Sequence, residues 1–164
     1  MINIQAIVAV DQDYGMAKNG QIPWKSKTDM RFFKEKTIHN IVIMGSKTLD
    51  SLPRGQPLKD RLNIILTRDP NKYVNIDEQL RNNIIFLDEE NLLSFLHHPN
   101  NIISENKYKY LNSESIIYII GGKQIYDLFY NYCSTIWLTK IKTKYDCDLI
   151  WSGSCSSSQR WGGD

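Results

Sequence analysis

The chain has 164 residues, enough for one domain with a buried core and too few for two of ordinary size. Hydrophobic residues at 41% and charged residues at 23% exclude a disordered or fibrous chain. A net charge of +2 is too small to argue for nucleic acid, and no apolar run reaches the length of a membrane span.

The first element is "INIQAIVAV", an apolar run that reads as a buried strand and stops at the turn signal "DQDYG". It follows Met1 with no basic leader and no cleavage-like site, so no export signal is expected. Lys18, Lys25, Lys27 and Lys47 make the first third locally basic. Attraction of an anionic small molecule and a plain solvated surface account for that equally well. In "GQIPWKSKTDMRFFKEKT" a helix is expected over 28–38, with Ser26 as N-cap. Asp29 lies three residues after the cap and beside the apolar stripe of Met30 and Phe33. A carboxylate there either completes a capping box at the positive end of the helix dipole or serves a reaction.

Strands and helices then alternate. "NIVIMG" (40–45) is a strand followed by a short helix near Lys47, and "RLNIILT" (61–67) is a strand closed by the turn "RDPNK". "NNIIFL" with "EENLLSFLHH", and "ESIIYIIGG" with "KQIYDLFYNY", are two further strand–helix pairs, and "STIWLTKI" is a late strand. Strands separated by helices of about ten residues predict an α/β, doubly wound, mainly parallel sheet with helices on both faces. Two segments break the pattern. The Asn-rich stretch 97–114 reads as a polar surface insertion, and 152–164 reads as a disordered Ser/Gly-rich tail. Cys133, Cys147 and Cys155 are odd in number and, with three histidines, show no metal-ligand spacing, so no metal and a reducing, cytoplasmic setting are expected.

Two glycine turns follow buried strands. "IIYIIGGKQIY" and "IMGSKT" each run from strand through glycine into helix, where backbone N–H groups are open to a phosphate or pyrophosphate. Neither is a full dinucleotide fingerprint, and a tight turn without ligand explains either one alone. Two in one sheet favour a dinucleotide along its carboxyl edge.

In order and spacing, "IVAVDQDYGMAKNGQIPWK", "DMRFFKEKT", "VIMGSKT", "RLNIILTR", "IIGGKQIY", "WLTKI" and "YDCD" resemble the dihydrofolate reductase family, from Met1 to about Trp151. The resemblance implies reduction of 7,8-dihydrofolate to tetrahydrofolate with NADPH, with hydride passing to C6 and a proton to N5. It implies that Asp29 holds the pteridine through paired charge-assisted hydrogen bonds. Trp24, Tyr126 and Thr139 fall on the family's residues around the reacting rings. Phe33, Leu52 and Leu58 fall on the walls of the substrate pocket together with Val8 and Ile120, and Arg61 falls on the arginine that grips the substrate's α-carboxylate. "YGMAKNGQIPW" matches a loop that closes over nicotinamide, with Ala9 and Ala17 offering backbone groups. Gly45, Lys47, Thr48, Thr67, Arg68, Gly121, Gly122, Lys123 and Gln124 fall on the cofactor contacts, Lys47 and Arg68 toward the 2′-phosphate.

The sequence also departs from the family's pattern. Ser46 stands where many relatives have a basic residue, Leu49 where they have an aromatic, and Lys123 where a small residue often follows the glycines. After "YDCD" the family's antiparallel C-terminal hairpin is not written, so the sheet is expected to lack it. A monomer is expected, and the family's fusions with thymidylate synthase offer a source for such a chain. Two other readings remain at this point: a same-fold pyrimidine reductase of riboflavin synthesis, and a cofactor-binding remnant with little catalysis. A substrate carrying a ribityl phosphate gives Asp29 and Arg61 together no role, which weighs against the first.

Overall fold

A strand buried on both faces needs apolar side chains at every position, because neither side of its pleat meets water. The runs in this sequence form such strands. The computed structural model describes residues 3–72, 75–105, 108–151 and 159–162. Its strands are β1 (Asn3–Val10), β2 (Gly15–Ala17), β3 (Ile41–Gly45), β4 (Leu62–Leu66), β5 (Ile84–Leu87), β6 (Ile116–Gly121), β7 (Thr135–Ile141), β8 (Leu149–Ile150) and β9 (Gln159–Gly162). The helices are α1 (Lys27–Thr37), α2 (Ser46–Ser51), α3 (Glu89–His97), α4 (Asn100–Ile103) and α5 (Lys123–Phe129). The main sheet has seven strands in the order β5-β4-β3-β6-β1-β7-β9, and every pairing in it is parallel. β2 and β8 form a separate antiparallel pair.

Alternation along the strands divides the core in two. Ile4, Ala6, Val8 and Val10 of β1, Ile41 and Ile43 of β3, and Ile117 and Ile119 of β6 join one cluster with Phe95 of α3 and Ile125 and Phe129 of α5. Ile7, Val42, Met44 and Tyr118 point the other way, into a second cluster with Leu49 of α2 and Phe33 of α1. Helices therefore cover both faces, as the sequence predicts.

Two expectations are corrected. The stretch 97–114 is not simply a polar surface insertion. It contains α4 and sends Ile103, Tyr108 and Leu111 into the first cluster, so these scattered apolar residues are anchors. The tail expected to be disordered contributes β9, which pairs in parallel with β7 from Leu138 to Ile141, so the β7 edge is covered there. Residues 152–158 and 163–164 lie outside the described residues, and with them most of the expected tail, Cys155 included.

One buried polar side chain shapes the amino-terminal ends of β4 and β5. Asn63 is fully buried, and its Nδ2 donates to the carbonyls of Leu58 (2.9 Å), Arg61 (3.0 Å) and Asn83 (3.1 Å). Its Oδ1 accepts from the Leu58 N–H at 2.9 Å. Buried backbone groups that lose a partner cost about 1–3 kcal/mol each. Asn63→Leu is expected to lower unfolding free energy by about 2–4 kcal/mol, read from urea midpoints at unchanged slope.

Candidate active site

The carboxyl ends of the parallel strands assemble the site. Register pairs Gly45 with Leu66, Met44 with Gly121 and Ala9 with Thr139, so the segments leaving β1, β3, β4, β6 and β7 emerge along one edge. Brought together there are Asp29, the two glycine turns and an apolar wall.

Asp29 sits in the first turn of α1. Ser26 is the N-cap, and its hydroxyl accepts the Asp29 N–H at 3.1 Å. Lys27, Arg31 and Lys34 face solvent, while Asp29 is half-buried on the inner side. The carboxylate lies close enough to Tyr126 to act on it. Burial first, and then the negative charge of Asp29, drive the Tyr126 phenol far above its ordinary value. Tyr126 therefore stays protonated, and its hydroxyl donates to the carbonyl of Ile7. Thr139 is buried, and its Oγ1 has no hydrogen-bond partner among the described residues. A buried hydroxyl left unpaired costs stability, so a polar ligand or water is the natural partner for it.

Phe33, Leu52, Leu58 and Ile120 are half-buried and share one cluster with Ile7, which makes the apolar wall expected of them. Val8 does not belong to it. Its side chain lies on the opposite face of β1, in the other cluster, and Ile7 is the β1 residue on the wall. An unbroken apolar run carries no alternation from which to read the face, so the sequence could not separate the two. Arg61 is 6% exposed, which removes the alternative of a plain surface arginine. Burial lowers the pKa of its guanidinium and adjacent Asp60 works against that shift.

The two glycine turns touch. A Cβ on Gly45 would lie 3.9 Å from the Gly122 nitrogen, and one on Gly122 would lie 3.7 Å from Thr48 Oγ1. Gly121 has φ +119°, and a Cβ there would come within 3.2 Å of the Tyr126 ring and hydroxyl, so both conformation and space require glycine. Gly45, Thr48, Gly121 and Gly122 thus form one backbone-lined cradle. Thr67, next after the Leu66 that pairs with Gly45, is half-buried, and Lys47, Arg68 and Gln124 are exposed. Lys123 pairs with Asp127 at 2.8 Å, one turn along α5, so it carries a counter-charge of its own. Among the described residues no group of His, Cys, Asp or Glu could hold a metal ion, and no helix is long and apolar enough to cross a membrane.

The sequence did not expose what ties down the loop after β1. Asp11 is buried, and its Oδ1 accepts from the N–H groups of Gly15 (2.7 Å) and Asp13 (2.8 Å). Its Oδ2 accepts from the Tyr145 N–H (3.0 Å) and the Cys147 thiol (3.5 Å). Burial and the Asp11 charge push that thiol up to about 11, so it remains a donor. Asp148 accepts from the Asn19 N–H at 2.9 Å, the Trp151 N–H donates to the Tyr14 carbonyl at 2.8 Å, and Trp24 meets Tyr145 ring to ring at 5.6 Å. Trp151 also packs edge-on against Tyr126 at 5.2 Å. Segment 143–151 thereby holds Ala17 and Trp24 in place. The one signal available was an acid opening the turn "DQDYG".

A profile of the dihydrofolate reductase family matches residues 3–161. The chain belongs to the dihydrofolate reductase family. It is 33% identical over 149 residues to the dihydrofolate reductase of Staphylococcus haemolyticus, covering 91% of this chain and 76% of that one. It is 33% identical over 156 residues to the bifunctional dihydrofolate reductase-thymidylate synthase of Glycine max, covering 89% of this chain but 27% of that protein. The chain thus spans about a quarter of the length of the bifunctional plant relatives. Among solved structures, the Enterococcus faecalis dihydrofolate reductase complexed with NADP(H) and RAB-propyl superposes with a TM-score of 0.70 over 92% of this chain and 77% of that one. At 24% identity, that likeness establishes the shared fold.

Within this family fold, Asp11 is the anchor of the loop, and its energetics are set by pH. Burial raises its pKa, but the hydrogen bonds from Gly15, Tyr145, Asp13 and Cys147 outweigh burial and hold it below the ordinary 3.8. A carboxyl with a depressed folded pKa stabilises above the unfolded value and loses that contribution as pH falls through the folded one. Asp11→Asn is expected to be less stable than the parent at pH 7, with the gap closing below about pH 3.8 in paired urea titrations.

Proposed function

We propose that the chain reduces 7,8-dihydrofolate to tetrahydrofolate with NADPH. The observation that carries this reading is a half-buried carboxylate, Asp29, facing the buried Tyr126 beside the glycine cradle and an apolar wall. Family membership adds to it, and so does the Enterococcus faecalis structure, which holds NADP(H) on the same fold.

The residues divide the work. Asp29 accepts hydrogen bonds from the 2-amino group and ring nitrogen of the pteridine, a bidentate arrangement that fixes which edge faces inward. Its negative charge favours a proton at N5 of the ring. Thr139, with its unpaired buried hydroxyl, supports the carboxylate end of that contact. Phe33, Leu52, Leu58, Ile120 and Ile7 enclose the benzoyl portion, and Arg61 pairs with the α-carboxylate. Gly45, Thr48, Gly121 and Gly122 fit the pyrophosphate of NADPH, because the two glycine turns come together with the Thr48 hydroxyl beside Gly122. Thr67 and Gln124 lie beside them, with Lys47 and Arg68 toward the 2′-phosphate. When bound, NADPH supplies the hydride that C6 accepts. Trp24 and Ala17, held by the 143–151 segment, exclude water from the reacting faces.

Asp29→Asn tests this reading. The variant is expected to bind NADPH like the parent and to lose most turnover at neutral pH, by about a hundredfold or more if the proton contribution is typical. Activity should recover in part at lower pH, where the substrate arrives protonated. Parent-like turnover at neutral pH would leave Asp29 as a helix cap only.

A further inference from the structure

Arg61 is buried, and a buried guanidinium is only as well aimed as the groups that hold it. Two of its five N–H donors are committed within the protein. Nε donates to the carbonyl of Lys59 at 2.8 Å, and Nη1 donates to the hydroxyl of Thr37 at 3.0 Å. Thr37 is the last residue of α1 and is fully buried. Its own hydroxyl proton goes to the Phe33 carbonyl one turn earlier, at 2.8 Å. The oxygen is thereby oriented with a lone pair toward Arg61. Lys59 is fixed in turn, since Asn63 clamps Leu58 and Arg61 on either side of it.

From this chain of contacts we infer that Thr37 is a positioning residue for substrate carboxylate recognition. It turns Arg61 so that Nη2 and the remaining Nη1 hydrogen present a fork to a carboxylate at the cleft mouth. The inference rests on the reading of Arg61 given above. The contact joins α1, which carries Asp29 at its first turn and Phe33 in its middle, to Arg61 at the entrance to β4. One helix thereby sets the spacing between the groups that would hold the two ends of the substrate. A free arginine of this length samples many rotamers, and a hydroxyl acceptor at a fixed point removes most of them.

Thr37→Val keeps the shape and deletes the acceptor, while Thr37→Ser keeps the acceptor. With dihydrofolate, Thr37→Val is expected to raise KM about tenfold with kcat within about twofold, and Thr37→Ser to behave like the parent. With 6-methyl-7,8-dihydropterin, which has no glutamate, Thr37→Val should leave KM unchanged. Arg61→Leu should show the same discrimination between the two substrates, more strongly, and adding Thr37→Val to it should have no further effect on KM. A KM rise of equal size for both substrates, or none for dihydrofolate, overturns the inference, as does failure of Thr37→Ser to restore the parent value. If Arg61→Leu discriminates and Thr37→Val does not, the role of Thr37 alone is wrong. If Arg61→Leu does not discriminate, the reading of Arg61 falls and this inference falls with it. Thr37→Ala provides the same comparison should the valine variant not fold.

Discussion

Everything in this molecule depends on an all-parallel hydrogen-bond ladder through β3, β6, β1 and β7. Parallel pairing forces each strand to leave at the same edge, and each connection must travel back over a face of the sheet. The chain therefore turns at the carboxyl ends several times, and backbone N–H groups, short loops and helix starts accumulate there. The Gly45 turn and the Gly121-Gly122 turn are far apart in sequence and neighbours in space for this reason, and Asp29 acts on Tyr126, which packs against Gly121. The same ladder demands apolar side chains on both faces. The polar groups that remain inside are then few, and each has an identifiable role.

Those buried polar groups divide into ones that shape the scaffold and ones left open for a partner. Asn63 satisfies the backbone around Leu58 and Arg61, Asp11 gathers the N–H groups of two loops, and Thr37 links α1 to Arg61. The Thr139 hydroxyl has no such partner, and it sits across from Ala9 at the end of β7. A fold of marginal stability retains an unpaired buried hydroxyl only where something else meets it. The satisfied groups hold the frame, while the Thr139 hydroxyl and the Trp151 indole N–H are the buried side-chain groups left without a partner among the described residues.

Much of this was legible in the sequence. Apolar runs between turn signals located the strands, Ser26 located the start of α1, and the two strand–glycine–helix patterns located the cradle. Of the residues expected on one apolar wall, Phe33, Leu52, Leu58 and Ile120 lie in one cluster and Val8 does not. What was hidden follows from physical causes. Val8 and Ile7 are neighbours in an unbroken apolar run, which has no phase. Ile103, Tyr108 and Leu111 are spaced irregularly among polar residues, so no period revealed that they are buried. Gln159–Gly162 carries no strand pattern, and its pairing with β7 comes from the open edge presented to it. Thr37 reaches Arg61 across 24 residues, and Asp11 reaches Tyr145 and Cys147 across 134 and 136, separations that no local pattern records.

We propose that this edge carries out hydride transfer to dihydrofolate. The direct measurement mixes the purified chain with NADPH, adds 7,8-dihydrofolate, and follows the loss of the cofactor's near-ultraviolet absorbance while tetrahydrofolate is identified among the products. Catalytic loss of NADPH that requires dihydrofolate and yields tetrahydrofolate in equal amount is expected. NADPH that binds but is not consumed over many equivalents of dihydrofolate would contradict it.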